Sequence, residues 1–169
     1  FYGNRAQNRG GGIYNQNGTV KQEGGNFSAN TAEIGSGVYQ DGIYQMSGSA
    51  LVDEGNDVYL PAEKYIEVMQ KLQSVPAARV TPDRYENGRM VVKVNYGNRT
   101  GSMEWERFLL TPQSRYCLRP GDCSGWRRIG VGLRQNDRRT GRPPATHRGA
   151  DARYSESRQK ITVSDCRSH

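Results

Sequence analysis

The sequence predicts an all-β chain built around a partial parallel β-helix of two to three coils, followed by a strand-rich cap and a mostly disordered basic tail. Three observations predict it. Short words recur at a nearly constant spacing, the apolar segments between them have strand length, and glycine, asparagine, aspartate and serine cut the chain every few residues. A repeat of roughly 20 to 50 residues overrides any local reading of helix or strand, because one such unit cannot bury its apolar face alone.

The spacing comes first. Gly12-Ile13-Tyr14 returns as Gly37-Val38-Tyr39, and Gly18-Thr19-Val20 returns as Gly42-Ile43-Tyr44, at offsets that differ by one position. Asn56-Asp57-Val58-Tyr59 starts a third copy after a somewhat shorter interval, and Asn30-Thr31-Ala32 echoes Asn4-Arg5-Ala6. Residues 1–60 are therefore assigned to the coils. Within them Ile13-Tyr14-Asn15, Thr19 to Gln22, Val38-Tyr39-Gln40, Ile43 to Met46, Leu51-Val52 and Val58-Tyr59-Leu60 alternate as strands do, and none is long enough for a helix.

Stacking equivalent strands places Ile13, Val38 and Val58 in one interior row and Val20 and Ile43 in a second. Asn4, Asn30 and Asn56 then sit above one another and can run an amide hydrogen-bond ladder at a turn. Tyr14, Tyr39, Tyr44 and Tyr59 either stack along one wall or face outward. Glycines at 10–12, 24–25, 35, 37 and 48 fit corners that need positive φ or close backbone approach. A phosphate-binding loop does not fit the Gly10-Gly11-Gly12 run, because no helical pattern and no acidic ribose partner follow it.

Residues 61–112 read as further strands. Ala62 to Leu72 holds good helix formers, yet Tyr65, Ile66 and Val68 favour strand and no N-cap precedes them beyond Pro61. Met90 to Val94 is the clearest single strand. The expected role of 61–112 is to cap the open end of the coils, whose unpaired backbone would otherwise invite association.

The formal charge of +7 is unevenly placed: −3 over residues 1–60, +2 over 61–112 and +8 over 113–169. The basic balance belongs to the last segment, where arginine outnumbers lysine twelve to one and no period survives. Such composition predicts disorder, and the pattern stops so abruptly near Gln113 to Tyr116 that a shifted reading frame is one explanation. An arginine-rich arm that attracts phosphates is the alternative, and nucleic-acid binding at physiological salt is not expected. Cys117, Cys123 and Cys166 all lie there; their spacing is not that of a metal site, although Cys117 and Cys123 could close a small loop in an oxidising compartment. Mean hydropathy is −0.88, and no apolar run approaches the length of a membrane span, so no insertion is expected in this segment.

The words Gly-Gly-Gly-Ile-Tyr-Asn at 10–15, Gly-Ser-Gly-Val-Tyr at 35–39, Met-Ser-Gly-Ser-Ala at 46–50 and Asn-Asp-Val-Tyr-Leu-Pro at 56–61 resemble the right-handed parallel β-helix repeats of bacterial cell-surface proteins. They are similar to those of polymorphic outer-membrane proteins and adhesin-like proteins. In that family the Asn-Asp-Val-Tyr-Leu word closes the helix, and strands like Lys64 to Val68, Ala78 to Pro82 and Phe108 to Pro112 follow. The resemblance implies further coils upstream, a location outside the cell or on its surface, and glycans or host and cell-surface proteins as partners.

Chemistry is the remaining class. Lyases and hydrolases also use β-helices, but they need carboxylates gathered over several coils. Glu23, Glu33, Asp41, Asp53, Glu54 and Asp57 do not recur at the coil period, and the two histidines, His147 and His169, fall in the tail. No catalytic, cofactor or metal residue is assigned. Asp53, Glu54, Asn56 and Asp57 cluster, which allows a weak calcium site but reads more simply as a solvated turn. The expected function is a non-catalytic structural or adhesive segment, with a polysaccharide-binding or polysaccharide-cleaving module as the alternative and nucleic-acid binding through the tail as the third reading.

Overall fold

The computed structural model describes residues 1–97, 104–111, 116–120 and 160–165. The chain is all-β and forms a solenoid-like parallel β-helix of about three turns. Its strands are β1 (Ile13–Gln22), β2 (Asn26–Phe27), β3 (Val38–Gly48), β4 (Leu51–Val52), β5 (Val58–Leu60), β6 (Ile66–Leu72), β7 (Ala78–Pro82), β8 (Met90–Val94), β9 (Phe108–Leu110), β10 (Tyr116–Pro120) and β11 (Lys160–Asp165), with a 3-10 turn at Glu104–Arg107.

Three walls organise these strands. On the first, parallel pairing joins Ile13 to Val38, Val38 to Val58, Val58 to Val80 and Val80 to Leu110, so β1, β3, β5, β7 and β9 stack in chain order. On the second, Val20 pairs with Tyr44, Tyr44 with Ile66 and Ile66 with Val92. The third wall is thinner: β2 pairs with β4, and single bridges join Tyr2 to Ser28, Arg5 to Thr31 and Arg9 to Ile34. It is prolonged by Val52 N–H on Ala77 O at 2.8 Å and Ala77 N–H on Arg107 O at 2.6 Å.

β1 and β3 serve both the first and the second wall because each turns a corner midway. The register of the pair shifts between Gln16 and Thr19, and Asn17 takes φ 60° there. The corner of one coil rests so closely on that of the next that a Cβ on Gly42 would overlap Gly18 O. Glycine is the residue that permits this approach. Gly42 is thus a packing requirement, whereas a Cβ on Gly18 would meet only the Asn15 Oδ1 of its own coil.

Inward side chains form a narrow column. Val38, Val58, Val80, Tyr44, Ile66, Val68, Val92 and Leu60 are fully buried, and each large aliphatic side chain so placed contributes about 1.5–3 kcal/mol. The expected Ile13, Val38 and Val58 row is present, with Ile13 partly buried. The second row differs from expectation. Val20 pairs with Tyr44, while Ile43 pairs with Thr19 and is 48 % exposed. Strand side chains alternate faces, so a row displaced by one residue sends Ile43 out and Tyr44 in.

Residues 61–112 also differ in role. The expected strands at 66–72, 78–82, 90–94 and 108–110 are present, but they pair in parallel with the coils before them, so they lengthen the stack. Their alternation survives where the repeated words do not: Ala78, Val80 and Pro82 point in, as do Ile66 and Val68. The parallel run on the second wall ends where β11 pairs antiparallel with β8 and β10 pairs antiparallel with β11. Two stretches of the expected disordered tail, 116–120 and 160–165, are therefore strands, and Leu118, Ile161 and Val163 reach the core. Apolar residues at alternate positions outweigh the basic composition around them. The arginine-rich run, Cys123, Cys166 and both histidines lie outside the described residues. Cys117 is disulfide-bonded.

Candidate functional site

Buried polar groups tie coil to coil. Asn4 Nδ2 donates to Asn30 Oδ1 at 2.9 Å, and Asn30 Nδ2 donates to Asn56 Oδ1 at 2.9 Å. The backbone N–H of Asn4 and of Asn30 donates to the same two oxygens, at 3.0 and 3.2 Å. Asn56 Nδ2 returns a bond to Asn30 O at 2.8 Å. The asparagine ladder expected from the repeat is thus continuous over three coils. A second contact runs from Asn15 Nδ2 to Gln40 Oε1 at 2.8 Å, and Tyr44 Oη donates to Gln22 Oε1 inside the column. Complete burial pushes the Tyr44 phenol far above its ordinary value.

The acidic cluster divides between these ladders and solvent. Asp57 Oδ1 accepts from Ser36 N–H and Ser36 Oγ, each at 2.7 Å, and its Oδ2 accepts from Thr81 Oγ1 at 2.6 Å. Asn56 is buried in the asparagine ladder, and Asp53 accepts from the Glu54 N–H in an exposed turn. Among the described residues no group of three or more His, Cys, Asp or Glu side chains is placed to hold a metal. Asp41 lies 3.5 Å from Lys64, while Glu23 and Glu33 are exposed and apart.

Three of the four tyrosines line up on the outer side of the first wall. Tyr39 and Tyr59 stack with ring centroids 5.3 Å apart, Tyr14 is tilted by 34° against Tyr39 at 5.2 Å, and Arg9 sits 5.0 Å over the Tyr39 ring. The stacked pair spend one face on each other, and the tilted Tyr14 ring is 45 % exposed. Tyr44 is the exception and lies in the core.

The described surface also carries two clefts on the corner between the first and second walls. One, of about 510 Å³, is lined by Ala62, Glu63, Asp83, Arg84, Glu86, Asn87, Gly88, Arg89 and Met90. The other, of about 340 Å³, is lined by Gly42, Ile43, Ala62, Glu63, Lys64, Tyr65 and Glu67. Ala62 and Glu63 belong to both. The walls are held by Arg89, whose guanidinium donates to Pro61 O at 2.6 Å, Lys64 O at 3.0 Å, Met90 O at 2.6 Å and Asp83 Oδ1 at 3.3 Å. One cation therefore fixes the 61–64 turn of one coil against the 83–90 turn of the next. Glu63 holds φ 62°, a left-handed conformation that side chains other than glycine rarely adopt.

Nothing in the sequence points to these clefts. They are made by turns from consecutive coils, which are separated along the chain by a full coil and share no repeated word. The strained Glu63 has no sequence signal at all.

A further buried acid, Glu104, accepts from Tyr96 Oη and lies 3.3 Å from Arg107 Nε, and Arg107 in turn donates to Ser74 O at 3.1 Å. This network braces the 3-10 turn under the coils. Burial first, and then the Glu104 carboxylate, push the Tyr96 phenol up. No family model matches the chain, and no curated protein and no solved structure matches it either.

Proposed function

We propose that the chain is a non-catalytic structural and adhesive segment of a secreted or surface-displayed bacterial protein, with glycans or host and cell-surface proteins as its partners. The observation that carries this reading is where the polar side chains go. Asn4, Asn30 and Asn56, Asn15 with Gln40, and Asp57 with Ser36 and Thr81 each bond across to a neighbouring coil. Polar groups spent on holding coils in register make a stiff spacer, and a spacer on which turns project at fixed intervals suits display. The disulfide at Cys117 agrees with an oxidising compartment.

The test is incubation of the whole chain with a panel of plant, bacterial and animal polysaccharides, measuring both retention and newly formed reducing or unsaturated ends. Retention without new ends is the expected result. New ends that disappear when Asp83 or Glu86 is substituted would replace this reading with an enzyme.

A further inference from the structure

We propose that the two joined clefts around Ala62 and Glu63 form a binding site for an uncharged oligosaccharide. The inference rests on the adhesive reading above and names the ligand class and the place.

Four features of the corner carry it. The clefts, about 510 and 340 Å³, are in the size range of small-molecule sites and adjoin at Ala62 and Glu63, which line both. The groove is also preformed. Arg89, its side chain only 8 % exposed, has its two terminal nitrogens engaged by three carbonyls and Asp83, so it holds the walls.

The groups that are available are of a particular kind. Glu63, Arg84 and Glu86 line the groove, are exposed, and have side chains with no hydrogen-bond or ionic partner among the described residues. Carboxylates and guanidinium are planar, with two acceptors or paired donors, and match two neighbouring hydroxyls of one sugar ring. At the other end Ile43, 48 % exposed, and Tyr65 supply apolar surface for the C–H face of a ring. The charges along the whole groove are mixed: Glu63, Glu67, Asp83 and Glu86 against Lys64, Arg84 and Arg89. A polyanion or a polycation would meet both signs, whereas an uncharged, hydroxyl-rich ligand uses donors and acceptors equally.

The fourth feature is the backbone of Glu63. A glutamate held at φ 62° costs stability that glycine would not. Strain at a residue that two clefts share, with its carboxylate unengaged by the fold, is what a side chain kept for binding looks like.

The experiment uses the full chain on an array of uncharged gluco-, galacto-, manno- and xylo-oligosaccharides set beside sulfated and uronic glycans and basic peptides, followed by calorimetric titration of the retained ones. Glu63→Gly is the informative variant. It is expected to raise the unfolding midpoint and to weaken oligosaccharide binding at least tenfold, while Arg84→Ala and Glu86→Ala weaken binding to a similar degree and leave the midpoint unchanged. Retention of an uncharged oligosaccharide that all three variants preserve would overturn the site while leaving adhesion intact. Failure to retain any uncharged oligosaccharide, or retention of sulfated or uronic glycans or basic peptides alone, would overturn the ligand class.

Discussion

Replacing Asn56 by alanine should remove the keystone of the asparagine ladder, and the structure allows the loss to be sized. Asn56 Oδ1 accepts from the backbone N–H of Asn30 at 3.2 Å and from its Nδ2 at 2.9 Å, while Asn56 Nδ2 donates to Asn30 O at 2.8 Å. Asn30 and Asn56 are 2 % and 1 % exposed, so bulk water does not replace these partners. Two backbone groups of Asn30 are left unsatisfied, each costing about 1–3 kcal/mol. A water entering the vacated space recovers part of that, and the expected net loss is about 3 kcal/mol. Asn4→Ala is the matched control: it removes one side-chain bond at an exposed position and should cost about 0.5–1 kcal/mol. Urea unfolding followed by circular dichroism gives the difference, and hydrogen exchange at the Asn30 amide locates it. A protected Asn30 amide in Asn56→Ala, with a stability equal to that of Asn4→Ala, would refute the ladder as a source of stability.

Other substitutions separate the parts of the fold. Val58→Ala, at a fully buried site, should cost about 2 kcal/mol, whereas Ile43→Ala should stay within about 0.5 kcal/mol in the same urea titration, the reverse of what an interior Ile43 requires. Gly42→Ala drives a Cβ into Gly18 O, and a lowered melting temperature equivalent to about 2–3 kcal/mol is expected from calorimetry. The Tyr44 phenol is raised in the folded chain, so the folded state binds the proton more tightly than the unfolded state does. Its contribution is complete below the unfolded value near pH 10 and falls above it, by up to about 1.4 kcal/mol per pH unit. Tyr44→Phe should flatten that alkaline decline in unfolding curves taken from about pH 9 to 12.

Much of the coil region was legible because its residues obey two periods at once. The alternation inside Ile13 to Asn15 and Val38 to Gln40 marks strands, and the offset between them sets the register, which together place the Ile13, Val38 and Val58 row and the asparagine ladder. Legibility failed where only one period remained. Ile43 and Val20 look alike as β-branched residues, and only the pairing of Thr19 with Ile43 shows which face each takes. In 61–112 the alternation persists but the spacing changes: the step from Val80 to Leu110 is half as long again as the step from Val38 to Val58. Strands that continue the stack therefore resemble a separate cap. β10 and β11 escaped because each is short and lies near arginine-rich sequence, and the two are far apart along the chain. The groove at Glu63 is a property of neighbouring turns, which leave no pattern along the chain.

Nuclear Overhauser mapping of the first wall in the isotopically labelled chain tests the parallel β-helix most directly. That fold predicts backbone cross-peaks that link Val38 to Val58 and Val58 to Val80, positions one full coil apart, with the matching set from Tyr44 to Ile66 to Val92. Close Cα-proton contacts between successive strands among β1 to β9, the mark of antiparallel hairpins, would contradict it.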